Sequence, residues 1–155
     1  MAREKRVRLP PFALFKSGVG KMVKILFICK YNRFRSRIAE AYFRKINRNK
    51  KIKAESAGII IGKPVAKSVK QIARKLGFKI FGKPKGIKES LLEETDLLVI
   101  VANDVPASIF RGGAKKIIVW KIPDTSQLDL KSIEKISRGI MKRVDKLVKS
   151  LEKAK

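Results

Sequence analysis

The sequence predicts an α/β fold, a three-layer open sheet of about four parallel strands with helices on both faces. Two observations support this prediction. Short apolar runs, at residues 25–28 and 97–102, lack the polar alternation of half-buried strands, which is typical of strands buried on both faces. Segments with apolar residues at helical spacing separate these runs, and an alternation of strands and helices favours a parallel sheet.

The first half of the chain supplies two strands and two helices. Residues 25–28 form the first strand, and apolar side chains at helical spacing predict a helix over residues 36–46. A weaker strand is expected at residues 52–56. A loop containing Gly and Pro leads to a second helix over residues 65–76, and Gly77 ends it because glycine readily adopts the left-handed conformation found after helices.

The second half supplies two more strands. Residues 79–88 are rich in Gly and Pro and are expected to form a loop, with a short helix around residues 91–92. Residues 97–102 and 116–120 are rich in β-branched residues and predict the third and fourth strands. Residues 133–151 place their apolar side chains on one face and predict a long final helix.

The composition excludes several kinds of site. The chain has 155 residues, of which 39 are Lys or Arg, 13 are Asp or Glu, one is cysteine and none is histidine. Catalysis by Ser-His-Asp or Cys-His groups, and zinc binding through imidazole, are therefore excluded. A single cysteine forms neither an intramolecular disulfide nor a CxxC redox pair. We expect no metal and no cofactor.

The formal charge of +26 favours anionic partners, which include nucleic acid, acidic membranes and phosphorylated substrates. No apolar run approaches the roughly 18 residues of a membrane span. Pro10 and Pro11 interrupt the apolar stretch after the basic N-terminus, so this segment does not resemble a signal peptide. We therefore expect a cytoplasmic protein.

Residues 1–22 are predicted to be a basic N-terminal extension, and residues 23–155 a single α/β domain. Residues 17–21 resemble the end of a nucleotide-binding P-loop. That motif needs Gly at position 15 and Ser or Thr at position 22, where this chain has Phe15 and Met22, so we reject it.

The lone thiol, Cys29, lies directly after the first strand, and sites in open parallel sheets form beyond the carboxyl ends of the strands. Arg35 follows six positions later. The residues between can curl so that their N–H groups surround one anion, and the arginine fork and the helix N-terminus add positive charge. This field favours the thiolate, the nucleophilic form of cysteine. The sequence thus predicts a phosphate-binding loop after the first strand, although a lone cysteine at a strand end is by default a small buried hydrophobe.

Residues 29–40 resemble the phosphate-binding loop of the low-molecular-weight protein tyrosine phosphatases and the related thioredoxin-coupled arsenate reductases. That loop reads Cys-x-Gly-Asn-x-Cys-Arg-Ser-Pro, usually followed by an apolar residue, Ala and Glu. The matching residues are Cys29, Asn32, Arg35, Ser36, Ala39 and Glu40. Further matches follow in the same order, at Ser56-Ala57-Gly58, at Asp96 before the third strand and at residues 120–124, so the resemblance spans residues 23–152.

The resemblance implies a cysteine-dependent phosphomonoester hydrolase that dephosphorylates protein phosphotyrosine through a thiophosphoryl-enzyme intermediate. Cys29 would attack phosphorus, Arg35 and the loop N–H groups would hold the phosphate oxygens, and Ser36 would donate to the thiolate. Asn32 would fix the shape of the loop. The implied phosphate-binding residues are Lys30, Tyr31, Asn32, Arg33, Phe34, Arg35 and Ser36.

The general acid should be a carboxyl group that follows the C-terminal end of a strand, which leaves Asp104 and Asp124. The residues alone leave both open, since either side chain also suits a solvated cap. The resemblance favours Asp124, because residues 120–124 match the family segment that carries its acid.

The chain departs from the family pattern at several positions: Tyr31 replaces Gly, Phe34 replaces the second Cys, Arg37 replaces Pro, and Ile59, Ile60 and Ile61 stand where phosphatases often place an aromatic. Tyr31 or Phe34 could supply that aromatic face, or could face the core. The lack of further cysteines excludes the multi-cysteine arsenate reductases. The alternative hypotheses are a nucleic-acid-binding protein, suggested by the charge, and a phospho-ligand-binding protein with weak or no turnover.

Overall fold

The computed structural model describes residues 22–110 and 112–153. Four strands form one parallel sheet in the order β2-β1-β3-β4. They are β1 (Val23–Cys29), β2 (Ile52–Gly58), β3 (Leu97–Val101) and β4 (Lys116–Trp120). The helices are α1 (Arg35–Ile46), α2 (Lys67–Lys75), α3 (Glu89–Glu94) and α4 (Leu130–Lys153), with a short 3₁₀ helix at Ala107–Phe110.

Both faces of the sheet are covered, which confirms the predicted three-layer architecture. Because successive side chains of a strand point to opposite faces, β1 contributes to two cores. Val23, Ile25 and Phe27 pack into the larger core with apolar residues of α1, α2 and α4. Leu26 and Ile28 pack into the smaller core with residues of α3 and the 3₁₀ helix.

The predicted elements are all present, with differences at their ends. The second helix begins at Lys67 and not at residue 65, because Ala66 is extended (φ −68°, ψ 150°). Gly77, with φ of 99°, ends it as predicted. β2 continues two residues beyond the predicted strand, to Gly58, and the 3₁₀ helix was not predicted.

The strand order reverses at β1, which pairs with β2 on one side and with β3 on the other. The crevice outside the carboxyl ends of β1 and β3 is where open parallel sheets bind ligands. Residues 30–34 connect β1 to α1 at this point, and we call them the phosphate loop.

The P-loop-like residues 17–21, and the predicted extension up to residue 21, lie outside the described residues. Among the helices that the structure describes, none is long and apolar enough to cross a membrane.

Candidate active site

The phosphate loop follows Cys29, the last residue of β1, and ends where α1 starts at Arg35. Cys29 is buried. Within the described part of the chain, none of the backbone N–H groups of residues 30–34 donates to a protein acceptor. Unpaired N–H groups that converge before a helix N-terminus form a cradle for an anion.

Asn32 holds the loop in shape from beneath. It is fully buried and is the non-glycine residue with a positive φ (56°) among those described, a conformation that asparagine tolerates better than most residues. Its Nδ2 donates to Ser36 Oγ and to Ser56 Oγ, both at 2.9 Å. Its Oδ1 accepts from the backbone N–H of Lys85 at 2.9 Å, so the amide ties the loop to three separate segments.

These contacts decide the direction of the hydrogen bond at the thiol. Cys29 Sγ lies 3.0 Å from Ser36 Oγ. Ser36 Oγ already accepts from Asn32, which leaves its own proton for the sulfur. The arrangement therefore supports a thiolate that accepts the Ser36 hydroxyl. By the same reasoning Ser56 accepts from Asn32 and donates to Glu40.

Gly58 allows β2 to pass directly beside the phosphate loop. A Cβ atom at this position would lie 2.7 Å from the carbonyl carbon of Tyr31 and 2.8 Å from the nitrogen of Asn32. The chain after Gly58 continues along the loop, with the N–H of Ile59 donating to Cys29 O and that of Ile60 to Lys30 O. Only glycine permits this approach.

Arg35 crosses the mouth of the loop. Its side chain is 2% exposed, and Nη1 donates to the carbonyl of Ile122 at 2.9 Å. Nη2 lies 3.1 Å from an oxygen of Asp104 and 3.8 Å from an oxygen of Asp124. The structure thus brings both candidate acids to the same guanidinium.

One small cleft contains the candidate nucleophile, the arginine and one of the two acids. Its lining residues are Cys29, Tyr31, Arg33, Phe34, Arg35, Asp124 and Gln127. Asp104 does not line it. Two larger grooves, of about 430 and 480 Å³, are lined by other residues and do not include Cys29. Chemistry, and not volume, singles out the cleft as the candidate site.

The remaining predicted phosphate-binding residues lie around this cleft. Tyr31 and Phe34 both line it, and Phe34 also packs into the larger core. Lys30 places its ammonium 5.3 Å from the centre of the Tyr31 ring. Asn32 and Ser36 lie beneath the loop and contribute through hydrogen bonds.

Two contributions were missed by the sequence analysis. Gln127 lines the cleft. Its own backbone carbonyl accepts a hydrogen bond from the Ser68 hydroxyl at 2.6 Å, which fixes the segment after Asp124. Arg37 is buried under the loop and donates to Asn32. Gln127 had no sequence signal beyond polarity, and Arg37 was noted only as a departure from the family pattern. Across residues 22–110 and 112–153 no group of three His, Cys, Asp or Glu side chains is placed to hold a metal ion.

Relatives of the chain are found among sequences of known proteins. The family model described as Low molecular weight phosphotyrosine protein phosphatase matches residues 24–155. The low molecular weight protein-tyrosine-phosphatase YfkJ of Bacillus subtilis is 36% identical over 86 residues, which are 50% of this chain and 55% of that protein. The chain therefore matches about half the length of this curated relative.

Solved structures also resemble the chain. The arsenate reductase from Archaeoglobus fulgidus is 31% identical, with a TM-score of 0.67 over 80% of this chain and 98% of that one. The low molecular weight protein tyrosine phosphatase from T. tengcongensis is 25% identical, with a TM-score of 0.74 over 83% and 99%. Because the family model covers most of its length, this chain belongs to the low molecular weight phosphotyrosine protein phosphatase family.

Proposed function

We propose that the protein is a cysteine-dependent phosphomonoester hydrolase that acts on phosphotyrosine in proteins. The observation that carries this proposal is that Cys29, Arg35 and Asp124 line one cleft at the carboxyl end of the sheet. Nucleophile, anion-binding fork and carboxyl group are the three components that this reaction needs.

In the first step the Cys29 thiolate attacks phosphorus, so that an S–P bond forms as the bond to the ester oxygen breaks. Arg35 and the N–H groups of the phosphate loop hold the other phosphate oxygens as charge shifts onto them. The proton from Asp124 goes to the leaving oxygen, which departs as an alcohol or phenol.

In the second step water attacks the thiophosphoryl group. Asp124, now ionised, takes a proton from the water, and the S–P bond breaks to release phosphate and the thiolate. The hydroxyl of Ser36, 3.0 Å from Sγ, stabilises the sulfur anion as it leaves. The enzyme returns to its starting protonation state without a cofactor.

We infer that side chains at the mouth of the cleft move when a substrate enters. The cleft has a volume of about 20 Å³, close to the space that one water needs in a cavity. Arg35 and Asp124 lie 3.8 Å apart across it. A phosphoryl group therefore enters as the two side chains separate and Arg35 turns from the aspartates to the phosphate oxygens.

The rim supports an aromatic ester carried on an acidic protein. Ile59, Ile60 and Ile61 are 38%, 50% and 68% exposed beside the loop, and large apolar side chains exposed together mark contact surfaces. Tyr31 lies in the cleft wall and offers an aromatic face. With a net charge of +26, the surrounding surface favours acidic substrate segments.

Arsenate reduction is less well supported. One similar structure is an arsenate reductase, but this chain has a single cysteine. Reduction of arsenate by a thiol needs a second thiol, which supplies the other sulfur of the disulfide that forms, and this chain holds no second thiol of its own.

The test is hydrolysis of p-nitrophenyl phosphate by the wild type and by Cys29→Ser, with circular dichroism to establish that both are folded. We expect turnover by the wild type and a loss of at least ~10³-fold in the variant. Calorimetric titration with inorganic phosphate is the companion measurement. Phosphate binding by a wild type that does not turn over the ester would support the phospho-ligand-binding alternative, and full activity in Cys29→Ser would overturn the proposal.

A further inference from the structure

Arg37 is a buried cation directly beneath the phosphate loop. It is 4% exposed, although it lies only two residues after Arg35 in the first turn of α1. No carboxylate of the described residues forms an ion pair with it. A buried charge that lacks a counter-ion is costly, and it is kept only where hydrogen bonds satisfy it.

Backbone carbonyls take the place of a counter-ion. Nη2 donates to the carbonyls of Phe81 and Gly82, the latter at 3.0 Å, and Nη1 donates to that of Lys83 at 3.0 Å. Nη1 also donates to Asn32 Oδ1 at 3.4 Å. Four of the five N–H groups of the guanidinium are thus used, and the buried Nε has no partner among the residues that the structure describes.

This arrangement joins two segments that are far apart in sequence. The segment 81–83 leads into Lys85, whose N–H also donates to Asn32 Oδ1. Lys85 and Ile87 then pair with Gly58 beside the loop. Arg37 therefore holds segment 81–83 in the position from which Lys85 reaches Asn32.

The hydrogen bonds that Arg37 and Lys85 donate to Asn32 Oδ1 affect the hydrogen bond at the Cys29 sulfur. They fix which end of the amide is the carbonyl, so Nδ2 must face Ser36 and Ser56. They also polarise the amide, which strengthens its N–H groups as donors. Ser36 then accepts from Asn32 and offers its proton to Cys29 Sγ, 3.0 Å away.

We propose that Arg37 is a positioning residue for the nucleophile, because its guanidinium holds segment 81–83 in place and orients the Asn32 amide. The oriented amide in turn directs the hydroxyl of Ser36 toward Cys29. The inference rests on the proposed function in that Cys29 is taken as the nucleophile. It concerns a residue at which the chain departs from the usual loop pattern, where Pro has no side-chain donor.

The electrostatics of the buried guanidinium agree with this role. Burial lowers the pKa of Arg37 from its ordinary value. The negative charge of Glu40 acts in the opposite direction, and that of Cys29 does so as well, against the positive charge of Arg44. Arg37→Met would therefore remove a cation, as well as the four donors, from beneath the phosphate loop.

The test combines turnover with alkylation of the single thiol. Arg37→Met keeps an unbranched side chain and removes the charge and donors. We expect kcat for p-nitrophenyl phosphate to fall about 10-fold, with KM changed less than about 3-fold. The pH at which iodoacetamide alkylates Cys29 at half its maximal rate should rise by about 0.5 or more. Arg37→Lys, which restores the charge without the fork, should lie between Arg37→Met and the wild type.

Two further variants keep the result interpretable. Gly82→Ala leaves Arg37 in place but strains the clamped segment, since Gly82 has φ of 84°, a conformation that residues with a side chain rarely adopt. The added Cβ, 3.7 Å from Nη2, makes only an ordinary contact with Arg37. The variant should shift the alkylation profile in the same direction, and it decides the matter if Arg37→Met does not fold. Arg138→Met removes one exposed positive charge on α4 and should leave the profile unchanged.

The inference is overturned if Arg37→Met and Gly82→Ala are alkylated with the wild-type pH dependence, or if Arg138→Met shifts it equally. A purely structural role would lower the melting temperature without moving the profile of the folded protein. Alkylation needs no turnover, so the two proposals fail separately. If the wild type is inactive but its alkylation profile depends on Arg37, the proposed function alone is overturned. If turnover depends on Cys29 but Arg37→Met does not alter it, the inference alone is overturned.

Discussion

The floor and the rim of the candidate site are held in different ways. The floor consists of Cys29, Asn32 and Ser36, all buried and joined by hydrogen bonds between side chains. The rim includes the two aspartates, whose side chains are 39% and 40% exposed, and the isoleucines that follow β2. The floor continues a strand and a helix, whereas the rim is built from loops.

The difference indicates how the two parts divide the work of the proposed reaction. A buried hydrogen-bond network is costly to leave partly unsatisfied, so the floor keeps a single geometry for the phosphoryl group. Exposed loop side chains lose little when they move, so the rim can open for a substrate and adapt to its organic part. Changes to the floor should therefore affect every substrate, and changes to the rim should depend on the substrate.

Among changes that keep the Cys29 nucleophile, the largest effect is expected at Arg35, where the floor meets the rim. Arg35→Lys keeps the charge and loses the fork that binds two phosphate oxygens, so kcat/KM for p-nitrophenyl phosphate should fall about 10²- to 10³-fold. Arg138→Lys is the matched control, because Arg138 lies on α4, outside the cleft, and forms an exposed ion pair with Glu134. It should stay within about 3-fold of the wild type. Equal losses in the two variants would contradict the assignment.

The next effect concerns the floor and is measured as a change in the free energy of unfolding. Gly58→Ala places a methyl group 2.7 Å from the Tyr31 backbone, so either β2 or the phosphate loop must shift. We expect the free energy of unfolding to fall by about 2–3 kcal/mol. Gly139→Ala in α4 is the control, since no atom lies within 4 Å of its added Cβ, and it should stabilise the helix by about 0.5–1 kcal/mol. Urea denaturation measures both, and a neutral Gly58→Ala would show that the close approach is not required.

A rim effect that depends on the leaving group should distinguish the two acids. Asp124→Asn should reduce kcat about 10²-fold for phenyl phosphate, whose leaving group needs a proton, and less than about 10-fold for p-nitrophenyl phosphate. Asp104→Asn is closely matched, as both carboxylates contact Arg35 with nearly equal exposure. It should show no dependence on the leaving group. The opposite pattern would assign the acid to Asp104.

The smallest effect is expected from the apolar part of the rim. Ile60→Thr keeps the β-branch and removes apolar surface, and should raise KM for an acidic phosphotyrosine peptide about 3-fold while leaving KM for p-nitrophenyl phosphate unchanged. Met22→Thr, at the amino end of β1 and similarly exposed, serves as the control. An equal change for both substrates would place Ile60 outside the peptide surface.

The sequence was sufficient for the parts of the molecule that repeat a pattern. The apolar runs predicted β1 and β3, because strands buried on both faces need nothing else. β-branched residues predicted β4. β2, which alternates buried and exposed residues at its start, was the weaker prediction and was placed two residues short of its end. The position of Cys29 between a strand and a helix, with Arg35 six residues later, predicted the phosphate loop. The family resemblance pointed to Asn32, whose positive φ the structure then revealed.

The sequence was insufficient where contacts join distant segments. Arg37 reaches carbonyls 44 to 46 residues away, and a backbone carbonyl leaves no trace in the residue types. The contact of both aspartates with Arg35 depends on how β3 and β4 end side by side, which neither segment shows alone. The 3₁₀ helix was missed because a single turn has no period to detect.

The single tryptophan is linked to Arg35 through the backbone at the end of β4. Trp120, the single tryptophan of the chain, ends β4 and lies nearly buried against Phe27, with ring centres 6.1 Å apart. Its carbonyl accepts from the N–H of Ile122, whose own carbonyl accepts from Arg35. Rotation of Arg35 toward a bound oxyanion would release that carbonyl and relax the segment next to the indole. Intrinsic fluorescence at one wavelength would then follow phosphate binding in real time, without a label.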